Sequence, residues 1–162
     1  MSCAPYVSSD PEVVRRMLEI AQVGADDLVY DLGCGDARIL VDAVKEFKAR
    51  EAVGYEIRED VYATALSVIE KMNLQDRIKV VHEDLFNADI SKATVITLYL
   101  TSSANERLRR KLEKETKSGT RVVSHDFEVP EWTPSFREEF GTHRIYLYRI
   151  PNAFTRALKQ GL

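Results

Sequence analysis

Two glycines and two aspartates stand together in the stretch VYDLGCGDARIL, which runs from Val29 to Leu40. Gly33 and Gly35 fall where an apolar segment gives way to an amphipathic one, and glycine lets the backbone approach a ligand closely. Asp31 lies two residues before this turn, at the end of a predicted buried strand. A carboxylate in that position favours a cation and repels a phosphate group. The stretch therefore predicts a binding site for a positively charged small molecule.

Two common phosphate-binding turns do not fit this stretch. In the dinucleotide-binding pattern G-x-G-x-x-G, the third glycine permits close packing of helix on strand, and here that position is Arg38. The P-loop pattern requires Gly-Lys-Ser/Thr, and no such residues follow. A ligand with an ammonium group, a sulfonium and a ribose, but no phosphate, satisfies these constraints. S-adenosylmethionine has this composition, so it is the cofactor that the residues predict.

Further carboxylates follow the next two predicted strands. Glu56 stands twenty-five residues after Asp31, and a carboxylate in that place accepts hydrogen bonds from ribose hydroxyls in other doubly wound nucleoside sites. Asp84 stands at the exit of the third strand, in the sequence HEDLF. Carboxylates after strands often serve only as helix caps. The order of the three residues along the chain, more than any one of them, predicts a nucleoside site.

The elements that must position these residues alternate between strand and helix. Strands that are apolar on both faces predict a parallel sheet covered on both sides, and a 3.6-residue period predicts the helices. We expect an α/β fold, with a doubly wound, Rossmann-like seven-stranded sheet that ends in an antiparallel C-terminal hairpin joined at Gly141. The predicted helices are 9–23, 36–47, 61–72 and 105–115, and the predicted strands are 27–32, 51–57, 78–82, 93–100 and 120–127, followed by the hairpin at 135–150.

Length and composition indicate one globular domain. The 162 residues carry a formal net charge of −3, which gives no general attraction to nucleic acid or anionic lipid. Two cysteines, Cys3 and Cys34, cannot form a disulfide framework, and no apolar run reaches the ~18 residues of a membrane helix. We expect a single domain over 1–162, with the sheet core at 27–150 and a tail at 151–162, and a cytoplasmic monomer. The histidines and cysteines show no metal-ligand spacing, so no metal site is expected.

Longer segments bring in a resemblance to a known family. DLGCGDA resembles motif I of class I methyltransferases, D/E-x-G-x-G-x-G, with Ala37 in place of the last glycine. The segments PYVSSDPEVVRRML, TLYLTSSANERL, KLEKETKSGTRVVSHDF and PEWTP are similar to protein-lysine methyltransferases that lack a SET domain. That family includes archaeal enzymes and mitochondrial enzymes acting on an ATP synthase subunit. The resemblance covers residues 5–150 and departs from the family at Ser8, where a proline is expected.

The resemblance implies an S-adenosylmethionine-dependent protein-lysine N-methyltransferase. It implies that Tyr6 closes over the methionine end of the cofactor. It also implies that Asp84 accepts a hydrogen bond from the adenine amino group, with Leu85 beside the ring. The full set of expected cofactor-binding residues is Tyr6, Asp31, Gly33, Gly35, Asp36, Glu56, Asp84, Leu85 and Tyr99.

Lysine methylation makes its own demands on the site. The attacking amine must be neutral, whereas free lysine has a pKa of about 10.4. An apolar pocket next to a positive sulfur lowers that pKa, and aromatic faces tolerate the cationic product. The candidate walls of the lysine pocket are Tyr99, Leu100, Phe127 and Trp132. Tyr99 and Trp132 can also be interpreted as packing residues of the core. His125 is better interpreted as a hydrogen-bonded histidine than as a catalytic base. Asp126 or Glu128 would attract the ammonium or receive its proton. We take Tyr99, Asp126 and Phe127 as the catalytic residues.

The substrate class follows less directly. Few residues remain for a lid, which favours lysines exposed on a protein surface, and the acidic chain favours basic, chromatin-like proteins modified with broad selectivity. Nucleic acid is not the expected partner. The alternative within the same fold is an RNA or small-molecule methyltransferase, although the N/D-P-P-Y/F/W motif of adenine methylation is replaced by TLYLTSS. No cysteine nucleophile stands there for cytosine methylation. A cofactor-binding scaffold without activity is the third reading.

Overall fold

The computed structural model describes residues 10–154, so the predicted cofactor residue Tyr6 lies outside the described part of the chain. Within it, α-helices and β-strands alternate up to the fifth strand. The helices are α1 (Pro11–Ile20), α2 (Arg38–Lys45), α3 (Glu59–Lys71) and α4 (Ser102–Glu115). The strands are β1 (Leu28–Leu32), β2 (Glu51–Tyr55), β3 (Ile78–Val81), β4 (Val95–Leu98), β5 (Arg121–His125), β6 (Phe136–Phe140) and β7 (His143–Arg149). Short 3₁₀ turns lie at Leu85–Asn87 and Asn152–Phe154.

The seven strands form one sheet in the order β3-β2-β1-β4-β5-β7-β6. Strands β1 to β5 run parallel, and β7 is antiparallel to both β5 and β6. The chain reverses its direction of travel across the sheet between β1 and β4, and ligands of open α/β sheets bind outside the carboxyl ends of the strands at such a point. The predicted doubly wound sheet with an antiparallel hairpin is confirmed.

Two apolar layers cover the sheet. On one face, α1, α2 and α3 pack against the strands through side chains such as Met17, Leu40 and Ile69. On the other face, α4 packs through Leu108 and Leu112. Since both faces are covered, the parallel strands are buried almost throughout, which is why they read as continuous apolar runs. No helix within residues 10–154 is long and apolar enough to cross a membrane.

The first helix is shorter than the predicted span of 9–23. The Asp10 carboxylate accepts a hydrogen bond from the Glu12 amide at 2.8 Å, and Pro11 occupies the first helical position. An aspartate cap followed by proline is a typical start of a helix. The helix ends at Ile20 because the backbone turns into the left-handed region at Gln22, with φ 55°. Residues 21–23 were therefore wrongly included in the prediction.

The C-terminal hairpin turns at Gly141, where φ is 63°. Its outer strand β6 is tied to α1 by a two-point ion pair between the Arg16 guanidinium and the Glu138 carboxylate, with both distances 2.6 Å. Because β7 runs antiparallel to β5, with Ile145 opposite His125, the start of β7 lies beside the end of β5. The hairpin thus brings His143 to the edge of the sheet where the parallel strands end.

Candidate active site

The predicted site residues lie at one edge of the sheet. Asp31, Glu56, Asp84, Tyr99 and Asp126 stand at or just after the ends of β1 to β5 in turn. Parallel strands end at the same edge, so the fold brings together five side chains spread over 96 residues of sequence. Residues that are far apart in the sequence therefore lie along one edge of the sheet.

The turn after β1 has the backbone that its glycines predict. Gly33 and Gly35 have φ of 83° and 55°, in the left-handed region that side chains disfavour. The amides of Gly33 and Cys34 both donate to the Tyr55 carbonyl at 2.9 Å, which fixes the turn against β2. A Cβ added at Gly33 would lie 3.6 Å from Leu100 and 3.8 Å from Leu85. The turn is therefore bordered by apolar side chains from two other loops.

Asp31 is a buried carboxylate, with 4% of its surface exposed. The Thr97 hydroxyl on β4 donates to its Oδ1 at 2.7 Å. Burial raises the pKa of Asp31 to about 7, the Thr97 hydrogen bond opposes this, and the charges of Glu56 and Asp36 add to it. The site thus keeps a carboxylate whose charge is costly until a cation accompanies it.

Glu56 has a role in the structure that its sequence position did not reveal. Its Oε1 accepts from the Gly35 amide at 3.1 Å and its Oε2 from the Arg58 amide at 2.8 Å. The carboxylate therefore holds the glycine turn as well as standing where a ribose acceptor is expected. Each carboxylate oxygen has a second lone pair for a ligand.

The two remaining acids of the predicted cofactor site, Asp84 and Asp36, each accept a hydrogen bond from a nearby backbone amide. Asp84 Oδ1 accepts from the Phe86 amide at 3.0 Å and starts the 3₁₀ turn that contains the buried Leu85. Asp36 Oδ1 accepts from the Arg38 amide at 3.3 Å at the start of α2. Ala37, the departure from the glycine motif, adopts φ 72°, a conformation in which its side chain is strained. Because capping the 3₁₀ turn already accounts for Asp84, its role in binding adenine stays a prediction.

Gly54 on β2 is a site-supporting residue that sequence reasoning missed. It pairs with Asp31 across the sheet, and a Cβ placed on it would lie 2.6 Å from both Cys34 Sγ and Leu40 Cδ1. Those distances are too short for any real Cβ, so only glycine lets the turn after β1 fold over β2. A glycine inside a predicted strand is a signal for such a close approach.

Tyr99 and His125 form an aromatic pair beside the glycine turn. Their ring centroids lie 3.9 Å apart with an interplanar angle of 27°. His125 is fully buried at the end of β5, so it gives the half-buried Tyr99 a rigid backing. Burial, and then the charge of Asp126, raise the pKa of the Tyr99 hydroxyl. Tyr99 therefore packs against a core residue and also lies at the edge of the sheet, so its roles as a packing residue and as a pocket wall are compatible.

Asp126 follows directly and has an unusual backbone, with φ 67°. Its Oδ1 accepts from the Arg144 amide at 3.0 Å, and its Oδ2 lies 3.3 Å from His143 Nδ1. The carboxylate is thus held by the start of β7. Its position near Tyr99 agrees with the prediction, but its contacts with β7 were not foreseen because the register of the hairpin is a tertiary feature.

Hydrogen bonds with side chains of α4 and β7 hold the loop after β5 in place. The buried Asn105 on α4 donates from Nδ2 to the carbonyls of Phe127 and Glu128, at 3.2 and 3.0 Å. The Tyr148 hydroxyl accepts from the Val129 amide at 3.0 Å. Phe127 is held with 38% of its surface exposed. The loop is therefore rigid where it presents an aromatic side chain at the edge.

Trp132 belongs to the packing beneath that loop. Its indole nitrogen donates to Glu113 on α4 at 2.8 Å. The ring packs against Tyr148 and Phe154, with centroid distances of 5.4 and 5.1 Å. Only 7% of the side chain is exposed. Of the two readings of Trp132, the structure supports packing and not a pocket wall.

Comparison with known proteins identifies the family. The sequence model of the ANTKMT methyltransferase domain matches residues 31–136. The chain belongs to this methyltransferase family. A protein-lysine N-methyltransferase of Saccharolobus islandicus (strain REY15A) is 51% identical over 150 residues, covering 90% of this chain and 93% of the archaeal one. An adenine nucleotide translocase lysine N-methyltransferase of Mus musculus is 28% identical, covering 90% of this chain and 63% of the mouse protein.

A solved structure agrees with this assignment. The crystal structure of an RNA methyltransferase from Salinibacter ruber in complex with S-adenosyl-L-homocysteine has a TM-score of 0.87 and 41% sequence identity. The match covers 90% of this chain and 94% of that one. The protein is a class I methyltransferase that uses S-adenosylmethionine.

The residues of this methyltransferase fit that cofactor. An ammonium group, ribose hydroxyls and an adenine amino group are all hydrogen-bond donors, and the edge offers the acceptors Asp31, Glu56 and Asp84. The glycine turn with its bordering leucines adds an apolar, side-chain-free surface.

Proposed function

We propose that this methyltransferase modifies the ε-amino groups of lysines exposed on basic proteins, with broad selectivity. The observation that carries the proposal is the 51% identity to an archaeal protein-lysine N-methyltransferase along 93% of that enzyme's length. The mouse relative named for lysine methylation points the same way. We also retain the monomer and the cytoplasmic location as predictions of this proposal.

The cofactor is held by the acids and glycines of the edge. We assign the ammonium group to Asp31, the ribose hydroxyls to Glu56 and the adenine amino group to Asp84, with Leu85 against the ring. Bound S-adenosylmethionine supplies an electrophilic methyl group on a positively charged sulfur. Gly33, Gly35 and Asp36 shape the turn that receives it, and Tyr6 and Tyr99 border its methionine end.

The lysine must reach the site as a neutral amine. Deprotonating free lysine at pH 7 costs about 4–5 kcal/mol, and an apolar surface next to the positive sulfur lowers that cost by disfavouring the charged form. Tyr99, backed by His125, and the exposed ring of Phe127 supply this surface. In this proposal Asp126 or Glu128 attracts the incoming ammonium or accepts its proton. The positioning of the two reactants supplies most of the catalysis.

The charges along the edge favour a basic substrate. The loops after β1 to β5 are 33–37, 56–58, 82–84, 99–101 and 126–135, and they contain seven Asp or Glu residues and one Arg or Lys. The loops at the opposite edge, 21–27, 46–50, 72–77, 88–94 and 116–120, contain five of each sign. The negative potential is therefore concentrated where the substrate must arrive, which attracts lysine-rich surfaces and raises their rate of encounter.

RNA remains the second candidate because the 41% identical structure is described as an RNA methyltransferase. Binding of RNA depends on neutralising phosphates with Lys and Arg. In the five loops at the active edge, Arg58 is the one residue of that kind. The charge of the edge thus favours a basic protein over an RNA, and the two substrates can be separated by a direct assay.

The assay uses the full chain with cofactor carrying a labelled methyl group. Substrates are a lysine-rich DNA-binding protein, an acidic protein of similar size and bulk tRNA, with Asp31→Asn as the inactive control enzyme. We expect label on lysine side chains of the basic protein, located by mass spectrometry after digestion, and much less on the acidic protein. Label confined to tRNA would overturn the proposal in favour of the second candidate. Equal labelling of both proteins would overturn the role of the acidic edge.

A further inference from the structure

Three potential metal ligands meet where β5 ends and β7 begins. His125 is the last residue of β5, Asp126 follows it, and His143 is the first residue of β7. Their ligand atoms all lie within 4.8 Å of one another. Sequence spacing did not indicate a metal site because His143 is 18 residues from His125, and only the antiparallel register of the hairpin brings the two together.

The separations suit a single small ion. His125 Nε2 lies 2.8 Å from His143 Nδ1, and Asp126 Oδ2 lies 3.3 Å from His143 Nδ1 and 3.4 Å from His125 Nε2. Three points with these separations lie on a circle with a radius of about 1.8 Å, slightly less than the ~2.0–2.1 Å of zinc–nitrogen and zinc–oxygen bonds. One ion can therefore reach all three atoms from just outside their plane and keep a fourth position for water.

The buried side chain of His125 anchors the cluster. His125 is fully buried, and its Nδ1 has no hydrogen-bond partner within residues 10–154. All its hydrogen-bonding and ionic contacts in that part of the chain are on the Nε2 side, toward His143 and Asp126. The buried ring therefore offers its Nε2 atom to the cluster.

We propose that His125, Asp126 and His143 form a binding site for a divalent transition-metal ion of the zinc type. Two imidazoles and one carboxylate with an open fourth position are a ligand set that zinc accepts. The ion would join the end of β5 to the start of β7 and fix the ring of His125 against Tyr99. It would replace the proton that otherwise lies between the two imidazoles.

Zinc binding to the purified full chain tests the site, independently of methyltransferase activity. The background is Cys3→Ser, which removes a thiol that would compete for the metal. Titration with ZnCl₂ in chelator-treated buffer, followed by calorimetry, is expected to show about one ion per chain. His143→Ala and Asp126→Asn should each weaken binding by about tenfold or more. Asparagine tolerates the positive φ at 126, and circular dichroism verifies that both variants fold.

The third histidine provides the matched control. His82 is exposed and stacks on Tyr62, away from the cluster, with a centroid distance of 4.7 Å. His82→Ala should bind zinc like the parent chain, and Co²⁺ bound to the parent should show the strong visible absorption of a low-coordinate site, which His143→Ala lacks. Two results would overturn the proposal. One is zinc affinity that is the same in the parent and in His143→Ala, and the other is an equal loss in His82→Ala.

Discussion

Replacing Asp31 by asparagine should make the protein more stable at pH 8 and remove cofactor binding. Burial raises the pKa of this carboxyl from 3.8 to about 7. Because the folded state holds the proton more tightly than the unfolded state, the penalty for Asp31 grows as pH rises from about 4 to about 7 and is constant above that. Each pKa unit corresponds to 1.36 kcal/mol, so the full penalty is about 4 kcal/mol.

Asparagine removes the charge and keeps the shape. Its Oδ1 can still accept from the Thr97 hydroxyl, which lies 2.7 Å from Asp31 Oδ1. The new amide hydrogens are buried, at a cost of about 1–3 kcal/mol. The net gain at pH 8 is therefore about 1–3 kcal/mol, and each kcal/mol raises Tm by about 2–4 °C in a chain of this size.

The pH dependence is the sharper part of the prediction because it does not involve the amide cost. Between pH 5 and pH 7 the penalty of the native Asp31 grows by about 2–3 kcal/mol. The effect of Asp31→Asn on the free energy of unfolding should therefore be more favourable at pH 8 than at pH 5 by that amount. Urea denaturation at the two pH values measures it.

The exposed Asp76 at the opposite edge supplies the control, since Asp76→Asn should change the free energy of unfolding by less than about 0.5 kcal/mol at both pH values. Titration with S-adenosyl-L-homocysteine should show binding to the native chain and to Asp76→Asn but not to Asp31→Asn. The reasoning is refuted if Asp31→Asn has the same effect on stability at pH 5 and pH 8. It is equally refuted if the variant is less stable than the native chain at pH 8.

Three further substitutions test the packing around the site. Gly54→Ala should lower the free energy of unfolding by about 1–3 kcal/mol, because its Cβ would lie 2.6 Å from Cys34 and Leu40. Gly24→Ala is the control and should be nearly neutral, because nothing lies within 4 Å of the new Cβ. Similar losses of stability in Gly54→Ala and Gly24→Ala would contradict the close approach of Cys34 and Leu40 to Gly54. Tyr99→Ala should reduce turnover about 10–100-fold, because the ring stacked on His125 positions the reactants. Tyr99→Phe keeps the ring and should retain turnover. Unchanged turnover in Tyr99→Ala would show that Tyr99 is not part of the active site. Trp132→Phe should cost about 1–3 kcal/mol of stability through its lost hydrogen bond to Glu113 and leave kcat unchanged, whereas a lower kcat at native stability would place the indole in the pocket.

The sequence alone determined the alternation of strands and helices and the place of the cofactor loop. Apolar strands, helical periodicity and the two glycines are local features, and parallel strands necessarily end at one edge. For this reason the order of Asp31, Glu56 and Asp84 along the chain was enough to predict that they lie at the same edge of the sheet. The end of α1 was predicted less well, because nothing in the residue type of Gln22 announces its left-handed backbone.

Only the tertiary structure decided what surrounds those residues. The hydrogen bonds from Glu56 to the glycine turn, the close approach of Cys34 to Gly54, and the support of the β5 loop by Asn105 each join segments that are far apart in sequence. The meeting of His125 with His143 depends on the register of the hairpin, which a shift of one residue would reverse. Residue types and local periodicity determine which helices and strands form and which positions carry functional side chains. Contacts between distant elements determine burial, and burial sets the charge states and the rigidity with which that chemistry is carried out.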